Sequence, residues 1–222
     1  MIIGICGLIG SGKGTVADIL VEQGFKKVSF ADKLKDGVAT VFGWDRAMLE
    51  GDTDDSREWR EKEDTFWTKE TGRKITPRIV LQEFGTDCMR DGFFDGIWVS
   101  LLKKEVLQNP GNYIVPDVRF RNEQNMIRDI GGQIWWAQRG ELPEWWGLAI
   151  LDNNTGSDTM SNYEIHSSEY KWADTNDKFD TIIYNNSTLD SLKRQVLDRL
   201  VSNQTLSTPD CNLDIQFSDY GC

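Results

Sequence analysis

The sequence predicts an α/β fold, a five-stranded parallel sheet covered by helices, and three observations carry that expectation. Short apolar runs alternate with segments of helical apolar spacing, the rhythm of parallel strands joined by helical crossovers. The first run, Ile2 to Cys6, leads directly into a glycine-rich turn and then a helix reaching Leu20. The chain's 222 residues suffice for one such domain with a sizeable core and one inserted subdomain.

Strand, glycine turn and helix suit a polyphosphate, which needs several donors at close range. In GLIGSGKGT, the residues placed to hold it are Gly7, Gly10, Ser11, Gly12, Lys13, Gly14 and Thr15. Glycines let backbone N–H groups converge without a Cβ in the way, and the following helix adds its positive end. Lys13 supplies a mobile charge for the outer phosphates. The bland alternative is a glycine-rich turn with a solvated lysine. The residue after Lys13 is Gly14, and the hydroxyl comes one place later at Thr15. This GKGT form resembles adenylate-kinase-like nucleotide kinases more than GTPases or motor ATPases.

Composition bounds the partners. A formal net charge of −11 argues against a general nucleic-acid binder, while a few local cations would still hold a small phosphorylated substrate. Cys6, Cys88, Cys211 and Cys222 show no C-x-x-C spacing, so neither zinc nor a disulfide framework is expected. Ile2 and Ile3 open the first strand, which argues against a cleaved leader, and no apolar run nears the roughly 20 residues of a membrane span. A reduced, cytoplasmic setting is the expectation.

The elements follow in order. Helix Lys13 to Gln23 presents Val16, Ile19 and Leu20 on one face, and Gly24 stops it. Lys27 to Phe30 reads as a strand, and Ala31 to Phe42 as a helix with Leu34, Val38, Val41 and Phe42 at helical spacing. Between Gly43 and Thr76 charges of both signs crowd together, and only Trp59, Phe66 and Trp67 interrupt them. This is either a solvated insertion or a mobile clamp whose Arg57, Arg60, Arg73 or Lys74 reaches the phosphate of a second substrate. Thr76 and Pro77 cap and open a helix to about Arg90 that sets Arg78, Gln82, Gly85 and Thr86 on neighbouring turns. A helix near Asp95 to Gln108 buries Trp98, Leu101, Leu102 and Val106.

Tyr113 to Val115 is the third strand, and Asp117 and Arg119 lie just past its end. Ligands bind outside the carboxyl ends of strands in open α/β sheets, so both face a nucleotide held by the first loop, or else form a local ion pair or turn. Helix Asn122 to Ile130 follows, then Gly131-Gly132, strand Gln133 to Gln138, and Arg139 beyond it. Residues 140–178, with Trp145, Trp146, His166 and Glu169, form a long polar segment, a lid in a phosphoryl-transfer enzyme. An anionic acceptor needs no general base, so His166 is expected to hydrogen-bond instead. Phe179 to Tyr184 is the fifth strand, Asn185-Asn186 a turn, and Leu189 to Val201 an amphipathic helix. The domain therefore spans 1–201, with residues 43–110 a helical insertion, 140–178 lid-like, and 202–222 a polar tail expected to fray.

Six blocks then carry a resemblance: GLIGSGKGT, SFADKLKD, TPRIVLQEFGTDCMR, VPDVRFRNE, GGQIWWAQRG and HSSE. In this order they resemble the deoxynucleoside monophosphate kinases of tailed bacteriophages, within the P-loop nucleotide kinases. The resemblance implies a P-loop NTPase fold and transfer of the γ-phosphoryl group of ATP to a deoxynucleoside 5′-monophosphate in phage nucleotide supply. ATP and Mg2+ would be required, and the partners would be these small molecules, with no nucleic acid or membrane. It places Lys13 with the glycine loop on the donor phosphates, and Arg119 and Arg139 on the transferring group, these three being the catalytic candidates. Lys35, Arg78, Gln82 and Arg90 fall on the monophosphate side, with Gln82 at the base edge, and Arg57 of the charged insertion and Asp117 are counted with them as substrate-binding. Asp117, through water, and Thr15 would serve magnesium. Exposed tryptophans among Trp135, Trp136, Trp145 and Trp146 would mark a homodimer contact, although a core position is expected for the first two. A kinase of another small acceptor, such as dephospho-coenzyme A or a sugar acid, shares the loop and fold; a non-catalytic ATP-binding module shares the loop.

Overall fold

The computed structural model describes residues 1–163 and 165–205. The chain opens with β1 (Ile2–Cys6), α1 (Lys13–Glu22), β2 (Lys26–Lys27) and α2 (Asp32–Phe42). An insertion follows, with α3 (Asp54–Glu61), α4 (Thr65–Thr71), α5 (Pro77–Glu83) and α6 (Ile97–Gln108). The second half comprises β3 (Tyr113–Val115), α7 (Arg121–Asp129), β4 (Gln133–Gln138), α8 (Trp146–Thr155), β5 (Thr181–Tyr184) and α9 (Leu189–Thr205). The tail beyond residue 205, with Cys211 and Cys222, lies outside the described residues.

All five strands run parallel in the order β2-β3-β1-β4-β5, with Ile3 of β1 opposite Ile114 on one side and Gln133 on the other. This order, with a glycine loop between the central strand and its helix, is the P-loop NTPase fold. Every residue of β1 is buried, as a strand covered on both faces must be. Alternate residues divide between two cores. Ile3, Ile5 and Trp135 pack with Val16, Leu20 and Val196 of α1 and α9; Ile2, Cys6 and Trp136 pack with Met126, Ile127 and Trp146 of α7 and α8.

The insertion is more than a solvated loop. Val38, Leu49, Ile75, Val80 and Leu81 form a third core, walled by Phe42, Trp44, Trp59 and Trp67. Thr53 caps α3 and Asp64 caps α4 through their side chains. The helix expected to run to Arg90 changes character after α5, widening into a π-helix over Phe84–Asp91. Trp98 Nε1 donates to the Gly85 carbonyl at 3.0 Å, an intrusion of the kind that perturbs the α ladder.

The described residues of 140–178 also contribute to the core, through Trp146, Met160, Tyr170 and Trp172. Trp146 of α8 stacks on Trp136 at 5.2 Å and 14°, and Trp172 meets both rings. Of the four tryptophans considered for a subunit contact, Trp135, Trp136 and Trp146 are buried and Trp145 is half-buried against Trp146. The homodimer expectation is left without the surface that prompted it. No helix among the described residues is long and apolar enough to cross a membrane.

Candidate functional site

The loop after β1 is shaped by contacts that only glycine permits. A Cβ on Gly7 would lie 2.5 Å from the Ala137 carbonyl oxygen and 2.5 Å from Ser11 Oγ. Gly12, at φ 94, faces Asn185, whose Nδ2 donates to the Ser11 carbonyl at 3.1 Å. No side chain caps α1, so the N–H groups of its first turn remain available to an anion at the helix's positive end. Lys13 Nζ donates to the carbonyls of Gly7 at 2.7 Å and Leu8 at 2.9 Å. Burial, and then the like charge of Arg119, push its ammonium below the usual lysine range. Ser11 Oγ is buried beside the loop without a hydrogen-bond partner, while Gly14 and Thr15 are exposed.

A cleft of about 810 Å³ opens past the ends of β2 and β3 and under the insertion, and residues 7–15 of the loop are not part of its lining. Lys35, Arg60, Arg90, Asp117 and Arg119 line it. Ser29 Oγ donates to Asp117 Oδ2 at 2.5 Å, and Asp117 Oδ1 is buried with no partner. Burial pushes the Asp117 carboxyl up, against the Ser29 hydrogen bond that favours its charged form. Lys35 Nζ bonds Glu50 Oε2 at 2.5 Å, and Arg46 holds the other Glu50 oxygen. Burial alone would raise the Glu50 carboxyl, but those hydrogen bonds outweigh it and hold it below the carboxylate range. Arg60 Nη1 donates to the Glu50 carbonyl at 3.2 Å and leaves its Nε buried and unpartnered. The Arg90 guanidinium lies over Phe120 at 5.6 Å. Glu123 fixes the turn after β3, accepting the N–H of Arg119 at 2.7 Å and of Phe120 at 3.1 Å, and burial pushes its carboxyl up to about 7.

The structure thus brings together Lys35, Arg90, Asp117 and Arg119 in one cleft, with Lys13 close enough to feel the charge of Arg119. It does not bring four other expected residues there. Arg57 is exposed and folds back on Asp54 and the carbonyls of Gly51 and Asp52. Arg78 is exposed and pairs with Glu61 at 2.8 Å. Gln82 is exposed and lies outside the cleft lining. Arg139, also exposed, makes no hydrogen bond or ion pair among the described residues. The cleft instead takes Arg60, one turn along α3 from Arg57, and it adds Ser29, Glu50 and Glu123. Ser29 opens the SFADKLKD block, the signal that would have found it.

Among the described residues no group of three His, Cys, Asp or Glu side chains would hold a metal unaided. Magnesium in phosphate sites takes most of its ligands from phosphate and water, with one or two carboxylates. The orphaned Asp117 Oδ1 fits that need, and Thr15 is the first hydroxyl residue after the loop's lysine.

No protein-family model matches the chain. A protein of Acanthamoeba polyphaga mimivirus, provisionally named a deoxynucleotide monophosphate kinase, is 29% identical over 211 residues, covering 89% of this chain and 94% of that protein. Among solved structures, TT1252 from Thermus thermophilus overlaps 91% of this chain and 97% of its own at a TM-score of 0.46 and 16% identity. Shikimate kinase from Aquifex aeolicus overlaps 94% and 100% at 0.43 and 13%. At such scores the likenesses add nothing to the fold, which rests on strand order and loop.

Proposed function

We propose that the protein is a kinase that transfers the γ-phosphoryl group of ATP to a deoxynucleoside 5′-monophosphate, giving the diphosphate and ADP. The observation that carries this reading is the pairing of two anion-receiving compartments. One is the glycine loop with Lys13, and the other is the cleft with Lys35, Arg60 and Arg90; Arg119 lines the cleft beside Asp117 and its charge reaches Lys13, so it joins the two. The name of the mimivirus relative supports the choice of acceptor.

In this mechanism Lys13 exchanges its two carbonyl partners for the outer phosphates of the nucleotide. Asp117 and Thr15 would hold magnesium, which supplies charge neutralisation on those phosphates. Arg60, Arg90 and Lys35 hold the acceptor phosphate in line, and Arg119 offsets charge on the transferring group. The acceptor oxygen is already anionic, so no base and no covalent intermediate are needed. The insertion 43–110 and the cleft-facing part of 140–178 exclude water, which would otherwise take the phosphoryl group.

ADP release from ATP, measured with deoxynucleoside and ribonucleoside monophosphates, dephospho-coenzyme A and sugar acids, tests the reading. Release dependent on a deoxynucleoside monophosphate is expected, with loss of nearly all turnover in Lys13→Ala. ATP hydrolysis indifferent to every acceptor would refute it, and so would near-normal turnover in that variant.

A further inference from the structure

The turn at residues 166–169 directs its polar groups onto Arg119. Arg119 Nη1 donates to Ser168 Oγ at 3.2 Å and lies 3.4 Å from Glu169 Oε1. Ser168 Oγ is in turn 2.8 Å from His166 Nδ1, and the Ser168 backbone N–H donates to that same nitrogen at 3.2 Å. A guanidinium only donates, so Ser168 Oγ accepts from Arg119, and because His166 Nδ1 already accepts the Ser168 backbone N–H, the hydroxyl proton is the one left to bridge Oγ and Nδ1. Nδ1 is therefore an acceptor, and the imidazole carries its proton on Nε2. Each hydrogen bond in the series Arg119, Ser168, His166 then has one direction.

The ion pair sits where such a series matters. The Glu169 side chain is 21% exposed and that of Arg119 46%, so the pair is partly withdrawn from water at the cleft mouth, which His166 and Ser168 also line. The charges of Arg119 and Glu169 both reach Lys13 in the loop. The turn also has a firm base, because Trp172 and Tyr170 just after it are buried in the core beside Trp136.

We propose that Glu169, with Ser168 and His166 behind it, is a positioning group for Arg119. It keeps the guanidinium where loop and cleft meet, facing the γ-phosphate of a nucleotide held by the loop. The inference rests on the reading of the loop as an ATP site. A long arginine left free would distribute over many rotamers, whereas one already placed meets the phosphate without that search. A carboxylate acting only as a competing charge would do the opposite and weaken ATP binding.

The test uses the full chain and compares affinity for ATP with affinity for ADP, without acceptor, alongside turnover with acceptor. Arg119→Ala should reduce the preference for ATP by about tenfold or more, and Glu169→Gln by roughly three- to tenfold. In the double variant the loss should match that of Arg119→Ala alone within about twofold, because the glutamate acts through the arginine. His166→Ala should lose part of the preference, and His166→Asn, whose Oδ1 replaces Nδ1 as acceptor, should restore it. Circular dichroism confirms that each variant is folded. The inference is overturned by an unchanged or increased ATP preference in Glu169→Gln, by multiplicative losses in the double variant, or by a wild type that does not prefer ATP. A wild type that shows the preference and its non-additive loss but phosphorylates no acceptor upholds the inference and sinks the kinase reading.

Discussion

Replacing Gly7 by alanine separates what the loop motif requires from what it merely tolerates. The new methyl would sit 2.5 Å from the Ala137 carbonyl oxygen. That is about 0.9 Å inside ordinary contact, against the backbone of β4, which cannot yield as a side chain would. The loop must move instead, by an amount comparable to the shortfall. Overpacking of this kind costs about 1–3 kcal/mol, which for a chain of this size lowers Tm by roughly 2–12 °C. A displacement near 1 Å also disorganises the converging N–H groups, and misplacements of that size cost up to about 100-fold in function. Gly14→Ala is the control, because a Cβ there meets nothing within 4 Å and the residue lies in the first turn of α1. It should raise stability by about 0.4–1 kcal/mol. Thermal unfolding with ATP titration reads both. Unchanged Tm and unchanged ATP affinity in Gly7→Ala would refute the steric reasoning.

Three further outcomes follow from the packing and charges described. Arg60→Ala should raise the KM for the acceptor by about tenfold or more, and Arg78→Ala by less than about threefold, since Arg78 lies outside the cleft; steady-state kinetics on both variants decides. Glu123, raised to about 7 in the folded chain from an ordinary 4.5, binds its proton more tightly folded than unfolded. Its contribution is therefore fully present below about pH 4.5 and is lost as pH rises to about 7, so Glu123→Gln should flatten the fall of stability across that window in urea titrations. Trp136→Ala, which removes the stacked ring between α8 and β4, should cost about 3–5 kcal/mol by chemical denaturation.

Much of the scaffold was legible because its signals are local. The apolar run of β1, the glycines and the helix phase of α1 lie within about twenty residues, and the unbroken apolar run of β4, Ile134 to Ala137, marks a strand covered on both faces. The insertion was harder, since α3 reads as DDSREWRE and its apolar partners Phe42, Trp44, Ile75 and Leu81 are scattered through the sequence. For the same reason the sequence does not separate Arg57 from Arg60. Both are cations three residues apart, and only the packing of Trp59 and the Glu50 carbonyl shows which one turns toward the cleft. Lys26–Lys27 is an exposed edge strand, defined by hydrogen bonding to β3 and not by any apolar pattern. The 140–178 segment concealed its order for a related reason. Its burial rests on single residues, Trp146, Met160 and Trp172, separated by polar stretches that carry no period.

The Trp136–Trp146 stack has an optical consequence. Two indoles 5.2 Å apart and nearly parallel interact electronically, so they should imprint a distinct band on the near-ultraviolet circular dichroism of the native protein. That band depends on fixed tertiary packing and disappears when packing loosens while helices persist. The chain thus carries an unlabelled gauge of whether α8 is docked on β4, readable in the same cuvette as a substrate titration.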